Sequence, residues 1–318
     1  MVDVGGTRLR FAVARPNGSG VTLERVTDRR ADDYPNFYAA LADYLAGLRG
    51  MWPDRVAIAV AAPITGDEAV LTNRGDWRIR KAALGERFGF ADTALVNDFV
   101  ALARALPLLP DKDLRSIGDG RPVEDAPIVV LGPGTGLGMA LVVPTASGFQ
   151  VVASEGGHAT FAPETEREIA LARSLQWRHG HVSWERVLSG PGIAEMHEIL
   201  SEIDHGVAQP MPPETISAHA LQGIDRRAVE TLQMFAGLLG SFAGNVALAA
   251  GARGGVYIGG GIVPQLAEFI ARSSFRDRFE AKGRFNDYLA AIPTVMLLTP
   301  EPTLLGLAAT LWPDLRIR

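Results

Sequence analysis

The chain has 318 residues, 47% of them hydrophobic and 21% charged, so it is long enough for two domains with full cores and too apolar for a disordered protein. Its formal net charge is −5 and basic residues never run beyond two in a row, which argues against a nucleic-acid partner. The absence of cysteine excludes disulfides, thiolate catalysis and cysteine-ligated metals. Glycine is over-represented, with 35 residues.

The first third of the chain predicts strands that alternate with helices. Residues 2–14 predict a strand, a glycine turn and a second strand, followed by a helix near 35–48 and a buried strand over 55–61. Short strand-like segments then lead to a helix near 81–88, a strand over 93–96 and a helix over 99–106. This alternation predicts a parallel or mixed sheet with helices on both faces.

Residues 108–127 are rich in Pro, Asp and Gly and predict a connection between two domains. A new strand opens at Ile128 and runs through a glycine-rich turn at 132–138 into a second strand over 139–143. The later predicted elements are a strand over 150–154, helices over 164–177, 192–200 and 226–250, strands over 256–258 and 294–298, and a helix over 303–311 that begins with Pro302.

The opening of the second half repeats the opening of the first. Thr7 and Thr135 lie 128 positions apart, and at the same offset Gly6 corresponds to Gly134. Two Gly-Thr hairpins that each open an α/β half predict a duplicated architecture, with two unrelated glycine hairpins as the alternative.

Residues 231–252 carry no formal charge and contain Gly240-Ser-Phe-Ala-Gly244, a spacing also found in membrane helices. Polar residues interrupt the segment, and its large apolar residues recur every three to four positions. The pattern therefore predicts an interior helix rather than a membrane span. The chain begins without the features of a signal peptide, so we expect a cytoplasmic protein.

Glycine-rich turns follow predicted strands at residues 5–7, 132–138 and 259–261, and none fits a Walker A loop or a dinucleotide fingerprint. Consecutive N–H groups in such turns can bind phosphate, although ordinary hairpin turns are the alternative. Asp3 directly precedes the first turn. A carboxylate at this position would repel a bound phosphate unless a divalent cation lay between them. Asp3 is thus predicted to orient hydrated Mg²⁺, with turn capping as the alternative.

Motifs along the whole chain resemble the bacterial glucokinases of the hexokinase/actin-like ATPase superfamily, in the branch without the cysteine-zinc motif. The matching segments are DVGGT (3–7), AAPITG with LTN (61–66, 71–73), LVNDFVALA (95–103), LGPGTGLGMA (131–140), SEGGHATFAP (154–163), ERVLSGPGI (185–193), GGVYIGGGIVP (254–264), FEAKGRF (279–285) and LLG (304–306). Their joint order is far more specific than any one of them.

This resemblance implies two actin-like (ribonuclease H-like) α/β domains, with mixed sheets flanked by helices and a cleft between them. The small domain would comprise residues 1–106 plus 300–318, and the large domain residues 107–299. The resemblance also implies a homodimer.

The resemblance further implies that ATP, with Mg²⁺, phosphorylates the 6-hydroxyl of glucose. Asp98 follows a predicted strand and is the implied general base, although the residues alone favour a helix N-cap at least as well. The implied glucose-binding residues are Asn73, Asn97, Asp98, Glu155, His158 and Glu185. The implied ATP-binding residues are Val2, Asp3, Val4, Gly5, Gly6, Thr7, Gly132, Gly134, Thr135, Gly136, Gly138, Gly259, Gly260, Gly261 and Ile262.

Two features depart from the family pattern. Only Met1 and Val2 precede Asp3, whereas the family has a longer first strand, so we expect the true start to lie upstream. Arg8 stands where Asn commonly follows the GGT motif, which leaves its contacts open. A kinase for another hexose or an amino sugar, a sugar-sensing protein on the same scaffold, and an actin-like filament module are the alternative functions.

Overall fold

A computed structural model describes residues 1–18, 20–50, 52–71, 74–146 and 148–313. The chain divides into two compact units, each with its own sheet and core. Unit 1 comprises Met1–Asp113 and Thr299–Arg318, and unit 2 comprises Leu114–Leu298.

Unit 1 is built on a five-stranded mixed sheet in the order β3-β2-β1-β4-β8, with a separate three-stranded sheet β5-β6-β7. The strands are β1 (Val2–Val4), β2 (Arg8–Asn17), β3 (Gly20–Arg30), β4 (Arg55–Val60), β5 (Ile64–Thr65), β6 (Glu68–Leu71), β7 (Arg74–Arg80) and β8 (Asp92–Asn97). The helices of this part of the chain are α1 (Phe37–Ala46), α2 (Lys81–Phe88) and α3 (Asp98–Ala105).

The central strands of unit 1 show why the sequence folds in this way. Val56 to Val60 of β4 are all buried, as expected for a strand that is covered on both faces. In β1, Val2 and Val4 are buried in the core, and the alternation of a strand turns Asp3 to the opposite face.

Unit 2 is built on a six-stranded mixed sheet in the order β12-β11-β10-β13-β14-β9. The strands are β9 (Leu114–Ile117), β10 (Ile128–Pro133), β11 (Leu137–Thr145), β12 (Gly148–Ser154), β13 (Gly255–Ile258) and β14 (Thr294–Leu297). The helices are α4 (Glu166–His179), α5 (Gly190–His205), α6 (Pro213–Gln222), α7 (Arg226–Ala250), α8 (Val263–Ala271), α9 (Phe275–Glu280) and α10 (Asn286–Ala290). The last helix, α11 (Pro302–Leu311), returns to unit 1.

The two sheets share one strand plan. In each, an antiparallel meander of three strands is followed by two strands parallel to the first, and unit 2 adds β9 at the edge. The predicted mixed α/β architecture with a duplicated plan is confirmed.

Several elements lie outside the sequence prediction. β3 is an edge strand with a mainly polar, half-exposed sequence, so its hydrophobic alternation is weak. β9 is a four-residue edge strand inside the predicted connection and pairs antiparallel with β14. The helices α6, α8, α9 and α10 were not predicted, and α4 begins at Glu166 rather than near residue 164.

Helix α7 is long and apolar enough to cross a membrane, yet 67% of its most apolar window is buried inside the protein. A Cβ at Gly240 or Gly244 would fall on the carbonyl oxygens of Phe275 and Phe279, so these glycines allow α9 to pack closely. The small residues therefore serve packing within unit 2, as the interior-helix prediction required.

Helix α11 supports α3 within unit 1. A Cβ at Gly306 would overlap the backbone of Ala101, so the two helices touch at that point. Arg104 Nη1 also donates a hydrogen bond to Thr310 Oγ1 at 3.0 Å. The helix that begins with Asp98 is thus fixed by the C-terminal segment.

Candidate functional site

Asp98 is the first residue of α3 and directly follows β8. Because β8 is parallel to β4, Asp98 lies at the carboxyl end of parallel strands, where open α/β sheets bind ligands. The N-cap is Asn97, whose side-chain oxygen accepts hydrogen bonds from the N–H groups of Phe99 (3.0 Å) and Val100 (3.2 Å). The alternative that Asp98 is the N-cap is therefore wrong.

Both neighbours contact the start of the helix, because Asp98 Oδ1 also accepts a hydrogen bond from Phe99 N–H at 2.9 Å. The side-chain oxygen of Asn97 is engaged by the helix, so its NH₂ group is the part that can donate to a ligand. Asp98 lies at the positive end of the helix dipole, which stabilises an ionised carboxylate. Asn73, the other predicted sugar-binding residue of unit 1, lies outside the described residues.

The first glycine turn connects the paired residues Val4 and Leu9. The N–H of Gly5 donates to the carbonyl oxygen of Arg8 at 2.9 Å, so that donor is used within the turn. Thr7 accepts a hydrogen bond through its carbonyl oxygen from Ala31 N–H at 3.0 Å. The turn is therefore a closed hairpin, and only part of its backbone can face a phosphate.

Asp3 is the polar side chain of β1, and it is only 13% exposed. Arg10 Nη1 lies 3.4 Å from Asp3 Oδ2. Burial raises the pKa of Asp3 to about 6, because the effect of Arg10 in the opposite direction is smaller and Glu301 adds to the rise. Among the described residues no group of three or more His, Asp or Glu side chains forms a ready metal site, so a cation here would depend on other ligands such as phosphate.

Three predicted sugar-binding residues of unit 2 lie together. His158 Nδ1 is 3.9 Å from Glu185 Oε1, and His158 Nε2 is 3.9 Å from Glu155 Oε2. Glu155 directly precedes a 3-10 turn, Gly156–His158, of which His158 is the last residue, and Glu185 lies in another, Trp184–Arg186. We call these three side chains the Glu-His-Glu cluster.

Backbone pairing holds the two segments of this cluster side by side. Phe161 N–H donates to Val182 O at 2.9 Å, and Trp184 N–H donates to Ala159 O at 3.0 Å. Trp184 is buried and makes an edge-on contact with Phe161, with ring centroids 5.0 Å apart. Glu185 therefore extends from a well-anchored position.

Glu185 also fixes the second glycine turn. Its Oε2 accepts a hydrogen bond from Leu137 N–H at 2.8 Å, and a Cβ at Gly136 would fall on the same oxygen. Gly190 N–H donates to Gly134 O at 2.8 Å, so residues near the cluster hold both ends of the turn. Glycine at position 136 thus leaves the space that the Glu185 carboxylate occupies, a reason that the sequence pattern does not reveal.

The second and third glycine turns pack against each other through their backbones. A Cβ at Gly132 would lie 2.5 Å from the carbonyl carbon of Gly259, and a Cβ at Gly260 would lie 3.0 Å from that of Pro133. In contrast, a Cβ at Gly134 would meet no atom closer than 3.9 Å, and one at Gly261 would meet nothing within 4 Å. Gly134 and Gly261 therefore border open space among the described residues.

Two residues near Asp3 were absent from the sequence-based site. Arg10 follows Asp3 by seven positions, and the cross-strand register of the predicted hairpin could have identified it as the partner. Glu301 lies 3.1 Å from Arg10 Nε through its Oε2, but almost the whole chain separates the two residues. No local pattern could have placed it there.

Comparison with known proteins gives a consistent family. A family model described as Glucokinase matches residues 1–313. A glucokinase of Chromobacterium violaceum is 45% identical over 309 residues, which are 97% of this chain and 88% of that protein.

Solved structures agree with this result. The crystal structure of a glucokinase from an Antarctic psychrotroph is 35% identical with a TM-score of 0.84, covering 98% of this chain and 97% of that one. A ROK family glucokinase from Streptomyces griseus, in complex with glucose and AMPPNP, is 19% identical with a TM-score of 0.68 and 97% coverage of both chains. At that identity the second similarity shows the fold alone.

Proposed function

The chain belongs to the glucokinase family, and from that premise we propose that it transfers the γ-phosphoryl group of ATP to the 6-hydroxyl of glucose, with Asp98 as the general base. The observation that supports Asp98 in this role is that Asn97 caps α3. Asp98 is therefore not the N-cap residue, although its Oδ1 accepts a hydrogen bond from Phe99 N–H, and it lies at the carboxyl end of parallel strands, where open α/β sheets bind ligands.

The base acts late in the reaction. A carboxylate is far too weak a base to ionise a sugar hydroxyl in advance, so the proton moves to Asp98 while the new O–P bond forms. This timing suits a loose transition state, in which positioning and charge neutralisation provide most of the rate enhancement. Asp98 should therefore affect kcat far more than glucose affinity.

The glucose-binding residues in this proposal are Asn73, Asn97, Asp98, Glu155, His158 and Glu185. Carboxylates accept hydrogen bonds from hydroxyls, whereas amide and imidazole groups can both donate and accept. Such a set distinguishes sugars because a displaced hydroxyl leaves buried polar groups unpaired. The short distances within the Glu-His-Glu cluster support a common ligand for its three members.

The ATP-binding segments in this proposal are the three glycine turns, residues 2–7, 132–138 and 259–262. The open space beside Gly134 and Gly261 supports approach of phosphate and adenosine to the backbone. Val2 and Val4 are buried, so they contribute backbone rather than side-chain contacts. Thr7 and Thr135 add hydroxyl donors.

Asp3 fits a magnesium ion that is held mainly by phosphate and water, because it offers a single carboxylate next to the first turn. When bound, Mg²⁺ neutralises charge on the transferred phosphoryl group. Asp3 would orient its water shell. We further propose that the protein acts in the cytoplasm as a homodimer.

A phosphorylation assay with a panel of sugars tests the proposed function. The purified protein is incubated with ATP, Mg²⁺ and glucose, mannose, fructose, galactose, glucosamine or N-acetylglucosamine, and the phosphorylated carbon is assigned by NMR. We expect glucose to give the highest kcat/KM and glucose 6-phosphate to be the product. Turnover of only an amino sugar or another hexose would overturn the substrate assignment, and sugar-independent filaments with ATP would favour an actin-like role.

A further inference from the structure

Arg10 connects Asp3 to two other carboxylates in unit 1. Asp3 and Arg10 are directly paired across β1 and β2, so their side chains emerge on the same face of the sheet. The Nε of Arg10 lies 3.1 Å from Glu301 Oε2 and 3.9 Å from Asp28 Oδ2. One guanidinium thus contacts three carboxylates, which its planar set of five N–H donors permits.

Asp28 is shared with a second arginine. Arg8 Nη1 donates to Asp28 Oδ2 at 2.7 Å, so Asp28 is neutralised mainly from the rim of the hairpin. Arg10 is more enclosed than Arg8, with 36% of its side chain exposed against 61%. Arg10 therefore serves mainly as the cationic partner of Asp3 and Glu301.

Glu301 has an unusual backbone conformation. Its φ of 53° and ψ of 46° place it in the left-handed region, which is strained for a residue with a Cβ, and it directly precedes Pro302 at the start of α11. Within the described residues, Glu301 Oε2 and Arg10 Nε are both buried and lack an aligned hydrogen bond. Strain and imperfect pairing at one point are typical of residues retained for function rather than for stability.

We propose that Arg10 is a positioning residue for Asp3 and that Glu301 holds Arg10 in that position. The proposal rests on the proposed function, in which Asp3 orients the water shell of Mg²⁺ beside the phosphates. A buried carboxylate with several rotamers requires a fixed partner if it is to hold a defined direction. Arg10 supplies that partner, and Glu301 prevents the long arginine side chain from turning away.

Nucleotide binding and kinetics of matched variants test the Arg10 part of the proposal. Replacement of Arg10 by Met keeps a long side chain but removes its charge. Arg10→Lys keeps the charge but loses the planar guanidinium with its several N–H donors. The control is Arg15→Met on the same strand, because Arg15 pairs with Glu24 at the exposed end of the hairpin.

For Arg10→Met we expect binding of Mg²⁺–AMPPNP, measured by calorimetry, to weaken about 10- to 100-fold, as is common when a supporting partner is lost. Arg10→Lys should recover only part of this loss. Glucose affinity should stay within about threefold of the wild type. The Arg15→Met control should change the affinity for neither Mg²⁺–AMPPNP nor glucose. Wild-type Mg²⁺–AMPPNP affinity in Arg10→Met, with retained folding, would overturn the role of Arg10.

Glu301→Asn tests the second part, because Asn tolerates the left-handed conformation and removes the charge. We expect a melting temperature at or above that of the wild type together with a several-fold lower kcat/KM for ATP. A purely structural role would make stability and activity change together, and unchanged ATP kinetics would remove Glu301 from the proposal. Because calorimetry with AMPPNP needs no turnover, an error in the sugar assignment would leave the Arg10 result interpretable.

Discussion

The hairpins β1–β2 and β10–β11 occupy the same place in the sheets of the two units, yet their turns carry different chemistry. In unit 1 the last pair before the turn is Val4 with Leu9, and in unit 2 it is Pro133 with Leu137, so the second turn is one residue shorter. The next pair is Asp3 with Arg10 in unit 1 but Gly132 with Gly138 in unit 2.

This difference shows how one scaffold supports two kinds of contact. The first hairpin places charged side chains beside its turn, at the cost of burying Asp3. The second removes side chains, and a neighbouring turn then packs directly on its backbone at Gly132. The β1–β2 hairpin is thus suited to orient charges, and the β10–β11 hairpin is suited to close contact between its backbone and a neighbouring segment.

The largest expected effect is a loss of stability when a side chain is added at Gly132. In Gly132→Ala the new Cβ would collide with the backbone of Gly259, which cannot move aside as a flexible side chain can. We expect a loss of about 3 kcal/mol in the free energy of unfolding, measured with urea. Gly134→Ala is the matched control, because the nearest atom to its Cβ among the described residues lies 3.9 Å away and its stability should be nearly unchanged.

The next effect separates the glycines within the second turn. In Gly136→Ala the methyl group displaces the Glu185 carboxylate and breaks its hydrogen bond with Leu137. We expect the KM for glucose to rise about tenfold, with little change in the KM for ATP. A tenfold change corresponds to about 1.4 kcal/mol, near the lower limit for a lost hydrogen bond to a charged group. Gly134→Ala should instead raise the KM for ATP, with little change in the KM for glucose. A selective effect of Gly136→Ala on ATP would contradict this assignment.

The third effect concerns the ionisation of Asp3 in the β1–β2 hairpin. Burial raises the pKa of Asp3 to about 6, so the folded protein retains a proton that the unfolded chain releases near pH 4. The stability contributed by protonated Asp3 is fully present below about pH 4 and is lost as the pH rises to about 6. Without Mg²⁺ or nucleotide, Asp3→Asn should therefore melt several degrees above the wild type at pH 7.5. The two proteins should melt together at pH 4, and an equal difference at both pH values would exclude this cause.

The features that were predictable from the sequence are those with local signals. Strand and turn residues near Asp3 and Ile128 predicted both hairpins, and their similarity predicted the shared plan. The interior position of α7 followed from its apolar periodicity. β9 was not predictable because four edge residues carry too little pattern.

The candidate site was predictable only in part. The Glu-His-Glu cluster was predicted from a family resemblance, since its members are brought together by pairing between distant segments. The space beside Gly136 is occupied by the carboxylate of Glu185, 49 residues further along the chain, and the approach of Glu301 to Arg10 depends on the return of α11 to unit 1. Such contacts arise from tertiary structure and leave no local sequence signal.

We propose that Asp98 removes the proton from the sugar, and the Asp98→Asn variant tests this role. Formation of glucose 6-phosphate is followed in a coupled assay, and glucose affinity is measured by calorimetry. The matched control is Asp92→Asn at the exposed start of the same strand, which should retain full activity. We expect kcat to be about 10²- to 10⁴-fold lower for Asp98→Asn, with glucose affinity nearly unchanged. A wild-type kcat in Asp98→Asn would contradict it.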